Sequence, residues 1–162
     1  MASLGIANYS IFDKQQLIAE GQPVFVRLRP VDPRSLMQGD FMRFGPTRLP
    51  DGIQSAGVGR RELLPQQKHR WGEKPLVVAK INAARVAVLN RAAASRDEPL
   101  ASDELLIELT EKDGRVVIAS DAWFFRVGEA ERWAKARFAE YRITKDGRAL
   151  LVNLRGEQLE KL

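Results

Sequence analysis

Apolar positions recur at every second residue through most of this chain, the period of a strand with one buried face. The first such run is Val24-Phe25-Val26-Arg27-Leu28-Arg29, with Val24, Val26 and Leu28 on one side and Phe25, Arg27 and Arg29 on the other. Pro30 and Pro33 end it. Residues 11–20 carry helical spacing instead, through Ile11, Phe12, Gln15, Leu17, Ile18 and Ala19, with Gly21 as the stop. After the prolines, Arg34 to Gln38 predicts one helical turn, Gly39 a permissive exit, and Asp40 to Phe44 a second short strand. Residues 45–73 show little periodicity and many prolines and glycines, which predicts a long loop, functional or disordered.

Beyond that loop the strand period returns. Pro75 to Ile81 and Arg85 to Leu89 flank Asn82-Ala83-Ala84 as a hairpin, and residues 92–103 read as a small polar linker. Glu104 to Thr110 alternates with Leu105, Ile107 and Leu109 on one side. Asp113-Gly114 predicts a two-residue hairpin turn, where both central residues need φ > 0, and Val116 to Ala119 is the return strand. Asp121 to Val127 predicts a further strand, with Trp123-Phe124-Phe125 as core, then a short helix over residues 129–136. Phe138 to Thr144 and Ala149 to Leu154 join through Asp146-Gly147, and residues 156–162 read as a frayed or helical tail. In the first of these, Phe138, Glu140 and Arg142 share one face and Arg137, Ala139, Tyr141 and Ile143 the other. An aromatic beside a charge pair can line a ligand groove, but the preferred reading of this face is that of an edge strand, where charge discourages aggregation. Eight to nine strands and two or three short helices make the fold mainly β. Hairpin connectivity predicts a largely antiparallel sheet, a sandwich or a partly closed barrel.

Composition narrows the chemistry. The 162 residues suit one domain, and 44% hydrophobic with 29% charged residues is a globular balance. The absence of cysteine excludes disulfides, zinc–thiolate sites and a cysteine nucleophile. A net charge of +5 suits an anionic partner, nucleic acid or lipid. From Arg126 to Arg148, however, basic residues alternate with Glu129, Glu131, Glu140 and Asp146, so no nucleic-acid partner is expected. The more uniformly basic piece is Arg60, Arg61, Lys68 and Arg70, which with Trp71 lies in the long loop. An indole and several cations suit a membrane interface or an acidic partner, so these five residues form a candidate interaction surface. Leu4 to Phe12 reads equally as the outer end of a longer apolar segment or as an amphipathic first helix.

Three arrangements carry possible chemistry. Ser35 with Lys80 would make a serine–lysine hydrolase if the lysine were buried and neutral. The context SLMQGD resembles membrane signal peptidases, whose serine also precedes a Gly-Asp turn. Here Ser35 stands only four residues before Gly39, about half the spacing of those enzymes, and Val31 holds the corresponding position. Asp32 and Asp40 form a possible acid–base pair, but each also sits where aspartate supports a turn or caps a helix. His69 is the single histidine, between Lys68 and Arg70, so neither a metal nor a cofactor is expected.

Two segments, PVDPRSLMQGDFMRF from Pro30 and WFFRVGEAERWAKARFAEYRITKDGRALLVNL from Trp123, together resemble the bacterial proteins named for a GDYxxLxY motif. Gly39 and Asp40 match the motif, Phe41 replaces its tyrosine, Phe44 its leucine and Pro46 its second tyrosine. Asp32, Pro33, Arg34, Gly39, Asp40, Phe41 and Phe44 are the motif positions, expected to be structural. The resemblance implies an extracytoplasmic domain behind one N-terminal membrane helix, with no known activity or ligand. On it, residues 1–10 are an added start and the remnant of that anchor, and residues 11–162 a single β-rich periplasmic domain. The expected function is non-enzymatic binding in the cell envelope, with an envelope protein or an anionic lipid surface as partner. The alternatives are the Ser35–Lys80 hydrolase and a basic cytosolic binding module.

Overall fold

The alternating runs fold as strands in the computed structural model, which describes residues 14–29, 41–43, 74–112, 115–120 and 122–162. Helix α1 covers residues 14–20, and the Gly21 N–H bonds the Leu17 carbonyl at 2.9 Å where it ends. There follow β1 (Gln22–Arg27), β2 (Phe41–Arg43), β3 (Leu76–Ile81), β4 (Val86–Ala92), β5 (Glu104–Lys112) and β6 (Arg115–Ile118). The last third holds β7 (Ala122–Phe124), α2 (Ala130–Trp133), β8 (Phe138–Ile143) and β9 (Ala149–Arg155). The fold is mainly β, as the periodicity predicts.

Seven strands form one mixed sheet in the order β6-β5-β3-β4-β1-β8-β9, and β2 pairs with β7 in a separate two-stranded ribbon. Strands β1 and β4 run parallel, while the other pairings described are antiparallel. The β5–β6 hairpin has Lys112 opposite Arg115, and the turn predicted between them, Asp113-Gly114, lies outside the described residues. The sheet curls until it nearly closes. The turn between β8 and β9 comes back onto β5, where the Glu108 N–H donates to the Gly147 carbonyl at 2.7 Å.

The concave side is the core. It takes Val24 and Val26 from β1 and Leu28 just after it, Leu105, Ile107 and Leu109 from β5, and Ala139, Tyr141 and Ile143 from β8, the faces the alternation assigns. Burying one such aliphatic side chain contributes about 1.5–3 kcal/mol, so this face sets the register of every strand. Burial also pushes the Tyr141 phenol far above its ordinary value and keeps it neutral.

Residues 93–103 are more than a linker. Ala93 and Leu100 join Leu76, Val78 and Leu106 in a second apolar cluster on the convex face. Arg91 fastens this cover through Glu98 at 2.5 Å, and the Ala94 N–H bonds the same carboxylate at 2.6 Å.

Four expectations are corrected. Strand β8 lies between β1 and β9 rather than at an edge, and Glu140 is 6% exposed, with Arg155 Nε and Nη2 donating to its Oε2 at 2.7 and 2.6 Å. Alternation reports a strand's faces and carries no information on its neighbours. Residues 156–162 are neither frayed nor helical. They turn back so that Lys161 bridges Arg155, with Gly156 N–H bonded to the Glu160 carbonyl at 3.1 Å. The helix predicted over residues 129–136 is the single turn of α2, and the strand predicted from Asp121 to Val127 stops at Phe124.

Candidate functional site

The short strand predicted after Gly39 is β2, and its partner is β7, with Phe41 opposite Phe124 and Met42 opposite Trp123. Directly opposed residues share a face, and neighbours along a strand point to opposite faces. Met42 is 1% exposed and turns inward. Trp123 accompanies it, its ring edge-on to Trp133 with centroids 5.3 Å apart. Phe41 and Phe124 therefore share the outward face, with ring centroids 5.7 Å apart. Phe124 is 75% exposed, Phe41 38%, and Val127 just beyond β7 is 84% exposed. The prediction that Trp123, Phe124 and Phe125 all supply core is thus corrected at Phe124. Trp123 and Phe125 pack on the core, and alternation turns the residue between them outward.

Beside the ribbon lies a cleft of about 560 Å³. Glu108 and Thr110 of β5 line it together with Ala119 and Ser120 after β6, and Ala149, Leu150 and Leu151 of β9 line it too. It therefore sits where the two ends of the curled sheet approach each other. Lys14 of α1, Lys74, and Ala122, Trp123 and Phe124 of β7 complete the lining.

The charges of the cleft are largely balanced. Glu108 accepts from Lys74 Nζ at 2.7 Å and Arg96 Nη2 at 2.5 Å. Burial pushes its carboxyl up, but these two cations outweigh burial and hold it below the ordinary value. Ser120 Oγ is engaged by its neighbour, donating to the Ala122 carbonyl at 3.0 Å and accepting from the Ala122 N–H at 3.2 Å. Both of these bonds are to backbone groups, so neither of them activates the hydroxyl as a nucleophile. Trp123 Nε1 is buried without a hydrogen-bond partner, and Ala119 holds a left-handed φ of +56°.

The sequence singles out other residues, and the structure brings few of them together. Phe41 is placed as described. Asp32, Pro33, Arg34, Ser35, Gly39, Asp40, Phe44, Arg60, Arg61, Lys68, His69, Arg70 and Trp71 lie outside the described residues. Lys80 is exposed on β3, opposite Glu104, and is not the buried lysine that a serine–lysine hydrolase requires. Among the described residues, no group of three or more His, Asp or Glu could hold a metal ion. Nor is any described helix long and apolar enough to cross a membrane. The residues missed from sequence are Phe124, Val127, Lys14, Lys74 and Glu108. The signal for Phe124 was present, since three consecutive aromatics on a strand cannot all face inward.

A family model described as GDYXXLXY protein matches residues 3–154. The match runs through the middle of the chain, where the sequence shows only a strand–loop–strand pattern in common. No curated protein and no solved structure matches the chain significantly.

Proposed function

The chain belongs to the GDYXXLXY protein family, and from that premise we propose that it is a non-enzymatic binding module of the bacterial cell envelope. In this reading one apolar segment ending near Phe12 tethers it to the membrane, with the β-domain on the periplasmic side. The observation that carries the binding role is the ribbon. The strand that follows the family's Gly-Asp pair displays Phe41 beside Phe124 on an outward face, and this exposed aromatic pair offers a contact surface. The hydrolase alternative loses support because Lys80 is exposed. The basic residues Arg60, Arg61, Lys68 and Arg70, with Trp71, form a second contact region in this proposal, directed at an acidic partner or anionic head groups.

The test is fractionation of bacterial cells producing the full-length gene product. The protein is expected in the membrane fraction, released by detergent rather than by high salt, and digested by protease added to spheroplasts. Recovery in the soluble fraction with protection from external protease would replace this reading by the cytosolic module.

A further inference from the structure

We propose that the outward face of the β2–β7 ribbon docks on an anionic lipid surface, with Phe124 and Val127 entering the head-group layer and Lys14 and Arg126 meeting lipid phosphates. The proposal deepens the binding-module reading and rests on it, but it needs no anchor to be tested.

Three observations select lipid as the occupant. The first is the extent of the patch. Phe124 and Val127 are 75% and 84% exposed and flank Phe125 and Arg126, and the partly exposed Phe41 ring lies against Phe124. Three side chains fall well short of the ~800 Å² that each side of a stable protein complex covers. Shallow insertion at a bilayer interface needs no more, because it combines a small apolar area with attraction to anionic head groups. The second is charge. Lys14 lines the cleft beside Phe124, and the exposed Arg126 stands one residue before Val127.

The third is how two described carboxylates near the patch are satisfied. Glu108 is bonded by Lys74 and Arg96. Glu129 takes the Arg126 N–H at 3.1 Å and lies 3.6 Å from Arg132. Neither leaves an unbalanced negative charge facing the phosphates.

The purified chain is tested by co-sedimentation with phosphatidylcholine vesicles, with and without phosphatidylglycerol, at low salt. Binding is expected to the anionic vesicles. Phe124→Ser with Val127→Ser should weaken it at least about tenfold, and Lys14→Ser and Arg126→Ser about fivefold each. Both apolar positions are exposed, so melting of that double variant should match the parent. A second measurement does not depend on weakening variants. The chain has no cysteine, so Val127→Cys gives one site for an environment-sensitive dye. Its emission should shift to the blue on anionic vesicles, while the dye at Val88→Cys, exposed on β4, should not respond. Equal shifts at both positions, or equal sedimentation of the parent and the Phe124/Val127 variant, would overturn the proposal. So would lipid-independent dimers that the same two substitutions abolish, since the patch would then be a self-contact. If the full-length protein fractionates with membranes while the vesicles stay unbound, lipid docking fails and the binding-module reading stands.

Discussion

At Gly147 the backbone turns with a φ of +88°, and a Cβ there would lie 3.2 Å from the Leu106 Cβ and 3.4 Å from the Glu108 nitrogen. Gly128 has nearly the same φ, +92°, and nothing within 4 Å of its Cβ position. Both positions would charge an alanine about 1–2 kcal/mol for the left-handed conformation. Only Gly147 adds a steric cost, and it falls on the contact that closes the sheet. Gly147→Ala should therefore lose more stability in urea unfolding than Gly128→Ala, with the excess coming from displaced β5. Equal losses would mean that β5 yields freely and that the turn does not hold the barrel shut. The surrounding turn also explains a detail of the sequence pattern. The Thr144 N–H bonds the Arg148 carbonyl at 3.0 Å across Lys145, Asp146 and Gly147, and within that loop only Gly147 has positive φ. An Asp-Gly pair thus serves here in a three-residue loop with glycine at the left-handed position.

Among the elements, the parallel pairing of β1 with β4 is the step that hairpin logic does not reach. Strand periodicity separates the faces that carry Val24, Ile107 and Ile143, because each face is written locally into its own run. It says nothing of which run lies beside which. For the same reason periodicity does not reveal the ribbon, since β2 and β7 are far apart in the chain, nor the interior place of β8. In the structure Arg85 supplies the missing information. It ends the turn after β3 with a φ of +60°, and its carbonyl accepts the Phe25 N–H at 2.9 Å. Its guanidinium donates to the Pro23 carbonyl at 2.9 Å and to Gln22 Oε1 at 2.8 Å, both on β1. Arg85→Ala keeps the strained backbone and loses both bonds, at a cost of about 2 kcal/mol. Arg85→Gly loses the same bonds but relieves the strain, and should be the milder change by about 1 kcal/mol. Chemical denaturation of the two variants reads this order. A neutral Arg85→Ala would show that the β1–β4 register is held by core packing alone.

For the whole molecule, the question is how a sheet of seven strands stays curled when its outer strands β6 and β9 do not pair along their length. The closure runs through a polar staple. Arg96 bonds both the Asp146 carbonyl at 2.6 Å and Glu108 at 2.5 Å, and Lys74 takes the other Glu108 oxygen. Asp146 is held by the Thr144 hydroxyl and by Arg148 Nε at 3.0 Å. In both acids burial pushes the carboxyl up, and the hydrogen bonds and cations outweigh it, so both sit below their ordinary values. A carboxyl that is lower in the folded than in the unfolded state stabilises the fold above its unfolded value, and the gain is lost as pH falls through the folded value. The melting temperature should therefore be level from about pH 7 to about pH 5 and fall below roughly pH 4.5. Glu108→Gln should melt lower at neutral pH, because Lys74 and Arg96 then face an uncharged amide, and its acid slope should be shallower. A residual slope should remain from Asp146 and from Glu98 and Glu129, which are held low foremost by the backbone N–H groups of Ala94 and Arg126. Parallel melting curves for the parent and Glu108→Gln across this range would show that Glu108 carries no share of the closure. The closure would then depend on the Gly147 turn and on the shared apolar core.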